Sequence, residues 1–262
     1  MKLAAHQVDK PWGRDALPPP FDAFAGGRIG EIWFEAPDKR TLPLLVKYIF
    51  TSEKLSVQVH PNDAQAQAGG LANGKTECWY ILDADPGAAL GLGFREPLAR
   101  AALRAAAEDG SIEALIDWKP VRAGDFFYVP AGTVHAIGAG ISLIEVQQPS
   151  DTTYRLYDYG RPRELHLEDG VAVARGEPYP AELASRVEGE SRTLAAGPHF
   201  RVEFVAGGGA VAALADRERF VLPLKGSVTA DSETSEPGDC LLAAAGAELV
   251  ASEGAELLVA AA

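Results

Sequence analysis

Short apolar or alternating runs, each closed by Gly, Pro or Asp, recur through most of this chain: RIGEIWFEA, LPLLVKYIF, KLSVQVH, ECWYILD, DFFYVPAG, ISLIEVQQ, FRVEFVAG, RFVLPLKGSV and ELLVAAA. That rhythm belongs to an antiparallel β sandwich or barrel. One segment breaks it. Residues 95–118, REPLARAALRAAAEDGSIEALIDW, are rich in Ala, Leu and Glu, with Asp109-Gly110 as a stop and Ser111 as an N-cap. They predict two short helices inserted between strands.

From Ala174 to Pro198 the chain is rich in Gly, Pro, Glu and Ser and loses periodicity, which predicts a connection between two lobes. The lobes are expected at 1–173 and 199–262. A short internal repeat supports the division. GDFFYVPAGTVH from Gly124 aligns with GDCLLAAAGAEL from Gly238, matching Gly-Asp with Gly-Asp and Gly132 with Gly246, while His135 becomes Leu249. The second lobe is read as keeping the fold of the first and losing its polar residues.

With 262 residues and 47% apolar content the chain can bury a sizeable core. Its net charge of −13 argues against nucleic acid and anionic membranes as partners, since both need basic surfaces. An anionic ligand would have to be met by locally clustered Lys and Arg. The opening residues lack the apolar run of a signal peptide, and no segment has the apolar length of a membrane span. Cys78 and Cys240 have neither metal-type nor redox-type spacing. A soluble cytoplasmic protein, monomeric or weakly dimeric, is the expectation.

Ser56 to Asp63 reads SVQVHPND. On a strand, Ser56, Gln58 and His60 share one face and Val57 and Val59 the other. The same alternation puts Lys75, Glu77 and Trp79 on one face of GKTECWYIL, and Cys78 on the opposite one. His135 follows the prolyl-glycyl turn of GDFFYVPAGTVH, which ends one strand and aims the next residues inward. A barrel interior could bring Gln58, His60, Glu77 and His135 to one point. Two neutral imidazoles, one carboxylate and an amide oxygen would hold a divalent metal and leave it about one net positive charge, suited to polarising a sugar carbonyl or hydroxyl.

GDFFYVPAGTVH resembles the second cupin motif, and QVH followed by Glu77 resembles a first cupin motif in which glutamine replaces the leading histidine. LSVQVHPND, GKTECWYIL and YRLYDYGR in that order are similar to the type I mannose-6-phosphate isomerases, over roughly residues 10–165. The resemblance implies a mainly β fold: a cupin-type antiparallel barrel or jelly roll with a small helical insertion and a second, degenerate cupin-like lobe. It also implies one Zn2+ per chain on Gln58, His60, Glu77 and His135. Lys75 is implied to handle substrate hydroxyls or a proton, and Glu145 to act as acid/base. Arg155 is implied to meet phosphate or a catalytic oxygen, with Arg161, six places later, and Lys47 helping to anchor the phosphate, and Ser56 and Lys47 match polar positions lining the pocket.

The implied activity is interconversion of mannose 6-phosphate and fructose 6-phosphate through an enediol. A sugar-sensing cupin without turnover and an iron-dependent cupin oxygenase are the alternatives. The first would show a damaged proton-transfer set, whereas Lys75, Glu145 and Arg155 are all present; the second would prefer histidine at Gln58.

Overall fold

The computed structural model describes residues 1–22, 27–231 and 233–262. The chain is mainly β, as its rhythm predicts, and four antiparallel sheets carry it. The first has seven strands, in the order Ala4–Arg14, Ile29–Glu35, Leu45–Phe50, Ile141–Gln147, Glu77–Ala84, Asp125–Val129 and Ala184–Arg186. The second has five: Tyr154–Tyr157, Val57–Val59, His135–Ile137, Ala89–Phe94 and Ile116–Pro120. Residues 192–261 supply the other two, of five and four strands.

Strand alternation decides what each sheet face meets. Ile49, Trp79, Ile81, Phe127 and Leu143 from the first sheet pack with Leu90, Leu92 and Ile137 from the second, so one apolar core lies between these sheets. The opposite face of the seven-stranded sheet carries Tyr48, Cys78, Tyr80, Phe126, Ile144 and Val146. It is covered by Val202, Phe204, Phe220, Leu222 and Leu258 from the C-terminal strands. This sheet is therefore apolar on both faces, and its polar inward residues stand out. Cys78 faces the C-terminal strands, away from Glu77, and neither cysteine is in a disulfide.

The C-terminal strands enclose their own core around Val221, Val228, Leu249 and Val259. The aligned glycines of the internal repeat have matching backbone roles. Gly124 and Gly238 have φ of 86° and 98°, and Gly132 and Gly246 of 87° and 76°, all in the left-handed region that favours glycine.

The predicted helical insertion forms Arg100–Asp109 and Ile112–Leu115, separated by Gly110 at φ 81°. Ser111 stands at the second N-cap without a side-chain cap bond. Residues 116–118, read as helical from sequence, instead begin the strand Ile116–Pro120 and pair with Ala89–Phe94. The helices bury Leu103, Ala106 and Ile112 against Val57, Val59 and Val134, the outer face of the second sheet. Within 174–198 the chain forms two short strands: Ala184–Arg186 joins the seven-stranded sheet, and Arg192–Ala196 joins the C-terminal one. Among the described residues, no helix is long and apolar enough to cross a membrane.

Candidate functional site

Val57 and Val59 face the helices, so Ser56, Gln58 and His60 point into the space between the first two sheets. Gln58 pairs across the sheet with His135 on one side and Arg155 on the other. From the opposite sheet come Glu77, Trp79, Glu145 and Lys47: Glu145 is cross-strand to both Trp79 and Lys47. Lys75 arrives on a loop. That loop is tied by Lys75 N donating to Pro61 O (2.9 Å) and Gly74 N donating to Asp63 Oδ1 (2.8 Å). A side chain on Gly74 would meet Asn62 backbone carbon at 2.4 Å, so only glycine lets the loop lie this close to the His60 strand.

His60, Glu77 and His135 are buried and present ligand atoms within 4.8 Å of one another. Glu77 Oε1 lies 3.3 Å from His135 Nε2 and 3.7 Å from His60 Nε2. Each imidazole has its Nδ1 on a backbone carbonyl, His60 on Thr152 O at 2.8 Å and His135 on Thr133 O at 2.9 Å. Nδ1 must donate to a carbonyl, which fixes the tautomer and leaves the Nε2 lone pair facing the carboxylate. Burial pushes His60 down to about 3, with the Lys75 charge adding to it, and burial lowers His135 as well. Both rings are thus neutral near pH 7.

Two lone pairs and a carboxylate aimed at one point repel unless a cation stands between them. Among the described residues, His60 Nε2 and Glu77 Oε1 are buried without a hydrogen-bond partner. Burial opposes ionisation of Glu77, but Lys75, with Nζ 3.0 Å from Oε2, holds it well below the usual carboxylate range. This donor set fits a divalent metal. Gln58 is beside it, with Oε1 accepting from Ser56 Oγ (3.0 Å) and Nε2 3.3 Å from His135 Nε2. A half-turn of the amide exchanges the two atoms and directs the oxygen to the cluster.

Glu145 forms the second half of the site. It accepts from Trp79 Nε1 at 2.8 Å, and its Oε1 is 2.9 Å from Lys47 Nζ and 3.7 Å from Lys75 Nζ. Burial would depress Lys47, but Glu145 and then Glu31 outweigh it and raise it, so the ammonium stays charged. Trp33 donates to Glu31 at 2.6 Å, and its ring lies 5.2 Å from Lys47 Nζ.

These groups open into a cavity of about 90 Å³ whose wall includes Ser56, Gln58, Lys47, Lys75, Glu145 and Arg155. A wider hollow of about 810 Å³, bounded by Arg14, Lys54 and Trp118, shares no residue with the cluster. Arg155 makes no ion pair among the described residues, and its buried Nε has no partner. Arg161 is elsewhere: it bonds Asp158 Oδ1 (3.1 Å), Glu53 Oε2 (3.0 Å) and Lys54 O (2.8 Å), and does not line the cavity.

No protein-family model matches the chain. Mannose-6-phosphate isomerase from Streptococcus mutans is 45% identical over 169 residues, covering 61% of this chain and 53% of that protein. One from Bacillus subtilis is 44% identical over 165 residues, covering 57% and 51%. The crystal structure of a Bacillus subtilis mannose 6-phosphate isomerase superposes with a TM-score of 0.83 at 26% identity, covering 100% of this chain and 99% of that one. The chain is a relative of the mannose-6-phosphate isomerases. A putative mannosephosphate isomerase from Archaeoglobus fulgidus shares the fold, with a TM-score of 0.77 at 18% identity over 99% and 96% of the two chains. The sequence matches span about half the length of the curated mannose-6-phosphate isomerases, while the likeness of fold runs through the whole chain.

Besides the residues expected from sequence, the cavity wall holds Lys10, Trp12, Glu31, Asp151 and Arg163, which sequence reasoning did not assign to the site. The signal for Lys10 and Trp12 was weak, because DKPWGR carries a proline inside a strand. Trp79 packs in the core between the first two sheets. Its indole is fully buried, yet its N–H serves Glu145 and its ring centroid is 5.3 Å from that of His135.

Proposed function

We propose that this chain is a zinc-dependent aldose–ketose isomerase that interconverts mannose 6-phosphate and fructose 6-phosphate. The observation that carries the reading is the convergence of His60, Glu77 and His135 on one buried point, next to a second carboxylate, Glu145, held by two lysines. Gln58, His60, Glu77 and His135 would hold one zinc ion. Bound there, zinc would act as a Lewis acid toward sugar oxygens.

The chain's own residues would do the rest. Isomerisation removes a proton from the carbon beside a carbonyl and returns it to the neighbouring carbon through an enediol of the sugar. Glu145 is our base for that transfer. Trp79 Nε1 and Lys47 Nζ fix its two oxygens, so the carboxylate keeps one orientation in the cavity. Lys75, between Glu77 and Glu145, would donate to substrate oxygen as charge develops. Ser56 would hold the Gln58 amide, and Lys47 would pair with Glu145.

Phosphate needs a cation that the protein has not already spent. The cavity wall carries Lys10, Lys47, Lys75, Arg155 and Arg163 against Glu31, Glu145 and Asp151, an excess of positive groups in a chain of net charge −13. Arg155 is the group we assign to phosphate, because it makes no ion pair among the described residues and its buried Nε has no partner there. We further propose that residues 1–173 form the catalytic lobe, 174–198 a connection and 199–262 a degenerate lobe, whose role is to cover the apolar back of the seven-stranded sheet.

The reading is tested by supplying zinc-loaded protein with mannose 6-phosphate and following fructose 6-phosphate in a coupled assay. Metal-bound protein that forms none would refute it.

A further inference from the structure

Tyr159 and Gly160, with φ of 54° and 78°, reverse the chain after the strand Tyr154–Tyr157. The return brings Arg163, eight residues after Arg155, back to the same cavity wall. Arg163 is held from behind. Its Nε is 2.6 Å and its Nη2 2.7 Å from the two oxygens of Asp158, a two-pronged pairing on a carboxylate that is itself buried. Its Nη1 has no protein partner among the described residues. Arg161 shares Asp158 but sends its other nitrogen to Glu53 and the Lys54 carbonyl, so it ties down the loop rather than facing the cavity.

We propose that Arg163 is a second phosphate-binding residue beside Arg155, with Asp158 as its positioning residue. The inference rests on the reading of this cavity as a sugar-phosphate site. A carboxylate gripping Nε and Nη2 freezes the guanidinium plane and leaves one edge to point outward. A phosphate would then meet a rigid donor at little further cost in side-chain freedom. Asp158 meets both arginines and Glu53 meets Arg161 as well, so the uncompensated positive charge offered to a phosphate comes from Arg155, which makes no ion pair among the described residues, while Arg163 adds the oriented donors of its outward edge.

The test combines two readouts on the full chain: calorimetric titration with inorganic phosphate, and steady-state kinetics with mannose 6-phosphate. R163Q is expected to weaken phosphate binding and raise KM by about tenfold or more, with kcat moved by less than about threefold. R163K keeps the charge but cannot span Asp158 and phosphate in the same way, so its KM should rise too; this variant decides the matter if R163Q does not fold. R161Q should weaken phosphate less than R163Q does. D158N should share the KM effect, a change that mere loss of stability would not produce in the folded fraction. Unchanged phosphate affinity and KM in folded R163Q and R163K, or a larger effect from R161Q, overturns the proposal. If phosphate binds and R163Q weakens it, but the unaltered protein does not isomerise mannose 6-phosphate, the phosphate site stands and the assigned reaction falls.

Discussion

Replacing Trp79 with Phe is the sharpest probe of how the second carboxylate is held. Trp79 is fully buried between the first two sheets, and its indole N–H is a 2.8 Å donor to Glu145 Oε2. Phe keeps the aromatic body and removes that donor. A hydrogen bond to a charged group contributes about 1.5–3 kcal/mol, and the smaller ring leaves unfilled space costing about another 1 kcal/mol. The expected loss of stability is therefore about 3 kcal/mol. In a chain of this size that lowers Tm by roughly 5–10 °C. Bound metal should be unchanged, since Trp79 is not among the donor atoms. The carboxylate, freed on one side, should lose its fixed aim, and kcat should fall by about tenfold or more. Denaturant unfolding, metal analysis and turnover on one preparation would check all three. If Trp79→Phe unfolds within about 0.5 kcal/mol of the unaltered protein and keeps its kcat, Trp79 does not hold Glu145, and the mechanism loses its oriented base.

Three further outcomes are expected. Glu145→Gln should abolish turnover while metal content and substrate binding persist; an active variant would move proton transfer to Lys75 or another group. Arg155→Ala should cost about 2–4 kcal/mol in kcat/KM with mannose 6-phosphate, and much less with unphosphorylated mannose; equal losses on both substrates would place Arg155 at the reacting carbons instead. Acid should destabilise the metal-free protein through His60. Burial holds its folded pKa at about 3, below the unfolded value of 6.5, so the unfolded chain takes up the extra proton between these limits. Stability is full above about pH 6.5 and falls on acidification. At about pH 5 the loss is about 2 kcal/mol, absent from His60→Gln, as denaturant midpoints at the two pH values would show; identical pH dependence in both proteins would contradict this.

The strand rhythm and the alternation of SVQVH and GKTECWYIL were legible because period-two geometry is local: once a segment is a strand, the face of Gln58, His60 or Glu77 follows. The convergence of those faces was not local and rested on the resemblance. Sequence could not show which arginines of YRLYDYGRPR meet the cavity, because the reversal at Tyr159 and Gly160 returns Arg163 to its wall, and Asp158 binds both Arg161 and Arg163 while Glu53 and the Lys54 carbonyl hold Arg161 away. The donor role of Trp79, beyond its place in the core, was hidden for a related reason. Its partner Glu145 is 66 residues away, and an indole donor is indistinguishable from packing until the facing strand is known. The capping box of Asn62 and Gln65, which starts the helix Asp63–Ala68 directly after His60, was visible in PNDAQ but not read.

His60, Glu77 and His135 are expected to gather a metal for sugar-phosphate isomerisation. The most direct measurement strips the protein with a chelator, returns zinc in known amounts, and records bound zinc and conversion of mannose 6-phosphate together, for the unaltered chain and for His135→Ala. Activity should rise with zinc and saturate at about one ion per chain, with His135→Ala losing most of its zinc affinity and its turnover. Full conversion by the stripped protein, or unaltered zinc binding in His135→Ala, would contradict it.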